Sequence, residues 1–225
     1  MANELEIREM ARKLNLYNIA RLETYQTDLS PVDYLSFLLQ YEIDERKRRS
    51  VENNRRLSRL PKSSNREELN GITKWMITKL QKCEWIDDES NLVISGKCGT
   101  GKTALATMLG EKAIEQGYKV KYIKSDALVE CLHQKNDNAK NRRIYESLVA
   151  SDLIILDEIM YLPISEEDLR VLYKGLIFLN ESRSIIIVTN RMLADWDNAC
   201  RDKHTIETLK DRLINDAKII YLKTK

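Results

Sequence analysis

Between residues 3 and 26 the apolar positions Leu5, Ile7, Met10, Leu14, Ile19, Leu22 and Tyr25 recur at roughly helical spacing, separated by charge. Ser30-Pro31 then opens a second helix. Serine is a preferred helix cap, proline is tolerated at the first helical position, and Asp33 suits the positive end of the helix dipole. Tyr34, Leu35, Leu38, Leu39 and Ile43 give this helix an apolar stripe. From Arg46 to Lys62 the pattern yields to charge, with eight basic residues against one acid, Glu52. Pro61 and the KSSNREEL that follows it break the pattern.

Beyond residue 70 helical and extended patterns alternate. A helix over 72–83 leads to a strand, NLVIS (91–95), then to a glycine-rich loop and a helix over 103–116 ended by Gly117. A strand at KVKYI (119–123) precedes a polar helical stretch over 127–149. LIILD (153–157), SIIIVT (184–189) and AKIIYL (217–222) are short, apolar and rich in β-branched residues, as buried parallel strands are. The alternation predicts a doubly wound α/β fold. The chain therefore divides into a helical region 1–62 with a basic C-terminal end and an α/β region 63–225. It contains no internal repeat.

Composition narrows the chemistry. At 43% hydrophobic and 32% charged residues, the chain reads as globular rather than disordered. Only seven glycines and three prolines are present, yet Gly96, Gly99 and Gly101 fall within six residues. Such local use of a scarce residue marks backbone that approaches a ligand. The four cysteines have no C-x-x-C spacing and there are only two histidines, which speaks against a disulfide scaffold, a zinc site or a Cys/His catalytic pair. The absence of a membrane-length apolar run and of a signal-peptide core predicts a cytoplasmic protein. The net charge of +2 says little, but its distribution says more. The 46–62 run and a second cluster of Lys135, Lys140, Arg142 and Arg143 suit contact with nucleic-acid phosphates, although such runs are also common on solvated helix faces. No aromatic residues interleave with them, so base stacking is not indicated. Tyr17, Tyr34, Tyr41, Trp75 and Trp85 are assigned to the core.

Gly96-Lys97-Cys98-Gly99-Thr100-Gly101-Lys102-Thr103 fits G-x-x-x-x-G-K-[ST]. Small residues let backbone N–H groups cradle phosphates at a helix N-terminus, into which Ala104 also falls. Lys102 would reach the β/γ-phosphates and the Thr103 hydroxyl would bind Mg²⁺. An ordinary glycine-rich turn is the competing reading; the strand before and the helix after it decide against that. Asp157 and Glu158 follow four apolar residues, and a buried strand that delivers an acid at its C-terminal end is where an α/β sheet places ligand groups. Asp157 would hold Mg²⁺ through water, and Glu158 would activate the attacking water. An acid pair after a strand can also be a helix start; the glycine loop about fifty residues earlier gives it its meaning. Asn190, at the tip of the next strand, suits either γ-phosphate sensing or a turn. Arg212 precedes the last strand and is, on chemistry alone, a solvated arginine.

These residues together resemble the AAA+ ATPases of the IstB/DnaC group, most closely the IstB-like transposition helpers. LNLYNIARL and LSPVDYLSFLLQYEIDERKRRSVENNRRLSRL are similar to the group's small helical domain. ISGKCGTGKTALATMLG, GYKVKYIKSDALVECL, SDLIILDEIMYLPIS, SIIIVTNRMLADW and LKDRLINDAKII follow in the group's order. The Asp157–Pro163 phrase with the later Asp195-Trp196 is more specific than the loop or the acid pair. The resemblance implies an AAA+ P-loop core of five parallel strands in the order 5-1-4-3-2, preceded by a small all-α domain and without a C-terminal lid. It puts Asn190 at the sensor-1 position, Arg212 at the arginine-finger position of a homo-oligomer (ring or helical), and Lys140 to Arg143 on the extra helix of initiator-type relatives. Lys97 and Cys98 replace the group's usual prolines.

The implied activity is ATP hydrolysis with Mg²⁺, slow without a lid and stimulated by duplex DNA, in the service of an IstA-like transposase. Loading of a replicative helicase is the alternative within the fold. A P-loop small-molecule kinase would need a lid and an acceptor pocket, neither of which is visible. A DNA-binding scaffold with a vestigial site sits poorly with intact Lys102, Asp157 and Glu158.

Overall fold

The computed structural model describes residues 4–23, 28–62 and 69–224, which leaves Tyr25 and most of the KSSNREEL segment outside the described residues. Contacts divide the chain into two compact units, Met1–Asn53 and Asn54–Lys225.

In the first unit, helix α1 (Glu4–Lys13) is shorter than its apolar spacing predicts. Asn15 adopts φ 59°, and the Leu16 N–H returns to the Ala11 carbonyl at 2.8 Å, which closes the helix as an Asn in the left-handed region does. A single 3₁₀ turn (Ile19–Arg21) follows. Helix α2 (Pro31–Ser58) starts where expected, with the Asp33 N–H on Ser30 Oγ at 3.2 Å. It runs on through most of the basic stretch, because Arg, Lys and Glu favour helix and pair along it, as Glu42–Arg46 and Glu45–Arg48 do at 2.8 Å each. The unit's buried cluster is small: Ala11, Ile19 and Ala20, with Leu16 and Leu38 against it. The predicted stripe on α2 is not a buried face, since Leu35, Leu39 and Ile43 are exposed. Tyr17 is exposed too, and Tyr34, Phe37 and Tyr41 stack on one another half-buried along the helix.

The second unit holds five parallel strands: β1 (Leu92–Gly96), β2 (Val120–Lys124), β3 (Leu153–Asp157), β4 (Ser184–Thr189) and β5 (Lys218–Leu222). Their spatial order is β2-β3-β4-β1-β5, the predicted 5-1-4-3-2 read from the other edge. Strands β3 and β4 are buried at every position, which is why they read as unbroken apolar runs. Helix α5 (Lys102–Glu115) follows the glycine loop and packs on the sheet. Helices α8 (Glu166–Asn180) and α9 (Lys203–Leu213) cover the β3–β4 side.

Two helical predictions are corrected. The 72–83 helix is shorter, α3 (Lys74–Leu80), capped by Thr73, and Cys83 at φ 60° then opens a separate turn beyond it, α4 (Glu84–Asp87). The 127–149 stretch is two helices, α6 (Ser125–Gln134) and α7 (Ala139–Val149). Asn138 separates them by accepting the N–H groups of Lys140 and Asn141, a bond that a polar KNDN stretch offers in place of helix. Trp75 is 68% exposed, with the Lys79 ammonium 5.6 Å from its ring centroid, so it is no core residue; Trp85 is half-buried with its N–H on the Leu80 carbonyl.

Two small-residue contacts tighten the unit. A Cβ on Gly175 of α8 would lie 2.4 Å from Leu132 Cδ1, so the glycine is what lets α6 approach α8. Asn91, buried at the foot of β1, donates to the Leu213 carbonyl and Asn180 Oδ1 and accepts from the Ile185 N–H. One side chain thus ties β1 and β4 to the ends of α8 and α9.

Candidate active site

The carboxyl ends of β1, β3 and β4 bring Gly96, Asp157 and Asn190 to one end of the sheet, where open α/β sheets take ligands. Between them lies a cleft of about 350 Å³. Gly96 pairs with Leu222 in the sheet, and a Cβ on it would sit 2.4 Å from the Leu222 carbonyl oxygen. Gly99 (φ 83°) faces open space, and Gly101 (φ 96°) caps α5 in the left-handed region. The loop is folded around the Lys97 carbonyl, which accepts from Thr100 Oγ1 at 3.0 Å and from Lys102 Nζ at 2.8 Å. Cys98, Gly99 and Gly101 to Ala104 line the cleft, whereas Gly96, Lys97 and Thr100 shape the loop behind it. Burial lowers the Lys102 pKa, opposed by Cys98 and the Asp157 carboxylate.

Asp157 is only 3% exposed, and its carboxylate is held by three donors. Oδ2 accepts from Thr103 Oγ1 and from the Tyr122 hydroxyl, each at 2.8 Å, and Oδ1 accepts from the Glu158 N–H at 2.8 Å. Burial first, then the charge of Asp157 and the bond to it, push the Tyr122 phenol above its ordinary range, so it stays a donor. Glu158 adopts φ 60° and pairs through Oε1 with Lys124 Nζ at 2.9 Å. That bond raises the Lys124 pKa against a small burial cost. Asn190 Oδ1 is buried with no hydrogen-bond partner among the described residues, and Asn190 lines the same cleft.

The donor set fits a nucleoside triphosphate with a hard divalent cation. Thr103 spends its one hydrogen on Asp157 and keeps its lone pairs for a cation. The glycine-rich loop at the N-terminus of α5 and the Asn190 oxygen are the features an anionic ligand and its water would use. Tyr122 and Lys124 were not singled out from sequence. Both stand on one face of β2 by the two-residue period of a strand, and in register Lys124 lies beside Asp157; that signal identifies them only once β2 is known to neighbour β3.

Arg212 lies on α9, exposed and away from this cleft, and forms no ion pair with Asp211 or Asp216; Asp211 instead accepts from Asn215. Lys140, Arg142 and Arg143 are exposed on α7, with Arg142 donating to the Asn136 carbonyl. Lys135 is drawn over the Tyr145 ring, 4.0 Å from its centroid. Trp196 of the Asp195-Trp196 pair is fully buried.

This sheet order, with a glycine loop after β1 and an Asp-Glu pair at the end of β3, defines a P-loop nucleotide-binding protein of the AAA+ type. Solved structures share the fold: DnaI at TM-score 0.57 and 15% identity (75% of this chain, 93% of that one) and the DnaC helicase loader at 0.52 and 14% (66% and 87%). The family of IstB-like ATP binding proteins matches residues 1–225, and the chain belongs to it. Among its relatives are the ATP-binding protein of an IS21-like insertion sequence from Bacteroides fragilis, 28% identical over 96% of this chain and 87% of that protein, and that of insertion sequence IS21 from Pseudomonas aeruginosa, 28% identical over 87% and 76%. No helix among the described residues is long and apolar enough to cross a membrane.

Proposed function

We propose that this ATP-binding protein is a Mg²⁺-dependent ATPase that assembles as a homo-oligomer on duplex DNA and assists the transposase of its insertion sequence in selecting a target. The observation that carries the ATPase reading is the meeting of Lys102, Thr103, Asp157, Glu158 and Asn190 at one cleft. When bound, ATP supplies the phosphoanhydride to be cleaved and Mg²⁺ neutralises charge on its phosphates. Thr103 and Asp157 would hold the cation. Lys102 would exchange the Lys97 carbonyl for phosphate oxygens, a stronger charge-assisted partner. Glu158 would take the proton of the attacking water, and the Asn190 oxygen would accept a hydrogen bond from the same water.

Support for the insertion-sequence role comes from the family and from relatives named as insertion-sequence ATP-binding proteins. Support for DNA contact comes from exposed Lys140, Arg142 and Arg143 on α7 and from the basic end of α2. The division of labour is a helical region 1–62 and an ATPase region 63–225. Lys102→Ala and Glu158→Gln test the site: the first weakens ATP binding, and the second keeps binding and loses phosphate release. Normal turnover by Glu158→Gln would remove the assignment. Co-precipitation with a hexameric helicase, rather than with a transposase, would move the protein to the helicase-loader reading.

A further inference from the structure

Asp157 reaches the cleft with unusually complete support. Its Oδ2 already accepts from Thr103 and Tyr122, and Oδ1 accepts from the Glu158 backbone. Two of those donors belong to the loop–helix junction and to the acid strand's own continuation. The third comes from a different strand: Tyr122 is the middle residue of β2, in register with Ile155, two positions before Asp157 on the same face of β3. A carboxylate with one donor on each oxygen can rotate about its terminal torsion and exchange its oxygens. A second donor on Oδ2 opposes that rotation, because a turn would break two bonds on that oxygen at once. The same bond makes Thr103 and Tyr122 share one acceptor. Each is thereby aimed by the other.

We propose that Tyr122 is a positioning residue for the divalent cation: its hydroxyl fixes the Asp157 carboxylate and, through it, the Thr103 hydroxyl, so that both meet the cation without reorganising. This rests on the ATPase reading above and extends it to a residue outside the glycine loop and the acid pair. Tyr122 touches neither nucleotide nor water in this role. Its effect is felt in how much Mg²⁺ the site needs. Partners that orient metal-binding groups change metal affinity about 10–100-fold when removed.

The test is Tyr122→Phe, which keeps the ring and removes only the hydroxyl. Binding of a fluorescent ATP analogue to the full chain is measured across a Mg²⁺ titration and in EDTA. The expected result is unchanged binding in EDTA and a Mg²⁺ midpoint about tenfold higher than the parent's, with excess Mg²⁺ restoring binding and most of the turnover. Tyr118→Phe is the matched control. It deletes a 2.8 Å tyrosine–aspartate bond, to Asp87, away from the cleft, and should leave the Mg²⁺ midpoint where it was. Melting curves on both variants report the structural cost of losing such a bond. A Tyr122→Phe protein with the parent's Mg²⁺ midpoint overturns the proposal while leaving the ATPase reading intact, as does one whose binding weakens equally in EDTA, which marks a merely structural tyrosine. If the parent itself binds no ATP with or without Mg²⁺, the ATPase reading falls and this inference with it.

Discussion

Glu158 stands at φ 60°, a region that non-glycine residues enter at a cost of order 1–3 kcal/mol, and such strain persists only where surrounding contacts enforce it. Here the enforcement is visible: its N–H is held by Asp157 Oδ1 and its carboxylate by Lys124. Glu158→Gln keeps the size and the backbone bond and removes the base. Its turnover should therefore fall by about 10²–10⁴, the usual worth of a positioned general base, with ATP affinity close to the parent's. Lys102→Ala should instead weaken ATP binding by about 10–100-fold, because a charged hydrogen-bond partner of phosphate is lost. Equilibrium binding and phosphate release separate the two effects. A pair of variants that failed in the same way would show that the two residues do not divide the work.

At the scale of elements, α2 is fastened to the 3₁₀ turn of its own unit by one buried side chain. Glu42 accepts the N–H groups of Asn18 and Ile19 at 2.9 and 3.0 Å and pairs with Arg46 at 2.8 Å. Burial works against its charge, but the bonds from Arg46, Ile19 and Asn18 together outweigh it and hold its pKa below the ordinary 4.5. A carboxylate whose folded pKa is depressed stabilises the fold above its unfolded value and loses that contribution as pH falls through the folded value. Glu42→Gln should therefore destabilise the first unit at neutral pH, by about 1–3 kcal/mol. The gap between parent and variant should close as pH drops below about 4.5. Hydrogen exchange at the Asn18 and Ile19 amides, followed against pH, measures it. A gap that stays constant into acid would mean that the charge of Glu42 contributes nothing.

At the scale of the molecule, the position of Arg212 matters more than its chemistry. It is exposed, pairs with neither neighbouring aspartate, and does not reach the cleft of its own chain. An arginine supplied from another subunit can be worth about 10³–10⁵ in phosphoryl-transfer rate. If Arg212 acts so, Arg212→Ala and Lys102→Ala are each inactive alone and regain part of the ATPase activity when mixed on DNA. Normal turnover by Arg212→Ala alone would end the trans role. DNA contact through phosphates has its own signature: log–log salt dependence with a slope of about −0.9 per phosphate neutralised. Replacing Lys140, Arg142 and Arg143 with Ala should flatten that slope and weaken all duplex sequences alike. A triple variant that binds duplex as the parent does would shift the contact to the basic end of α2.

The apolar runs at 153–157 and 184–189 could be read directly as buried parallel strands, since a strand covered on both faces has no polar alternation to obscure it, whereas the run at 217–222 forms the edge strand β5, with Ile219 and Tyr221 exposed. The glycine loop and the acid pair were equally plain, because their chemistry constrains residue type within a few consecutive positions. The polar break that splits α6 from α7 and the left-handed Asn15 and Cys83 that follow α1 and α3 were not, since each depends on a single side-chain or backbone choice that spacing does not encode. Nor did spacing reveal that Leu35, Leu39 and Ile43 of the α2 stripe stay exposed: amphipathic periodicity says that a face is apolar, not that anything covers it. Tyr122 and Lys124 lie more than thirty residues from the acids they hold. Only the pairing of β2 with β3 brings them together, and strand pairing is a property of the whole sheet, because which strands become neighbours is decided by burial across all five at once.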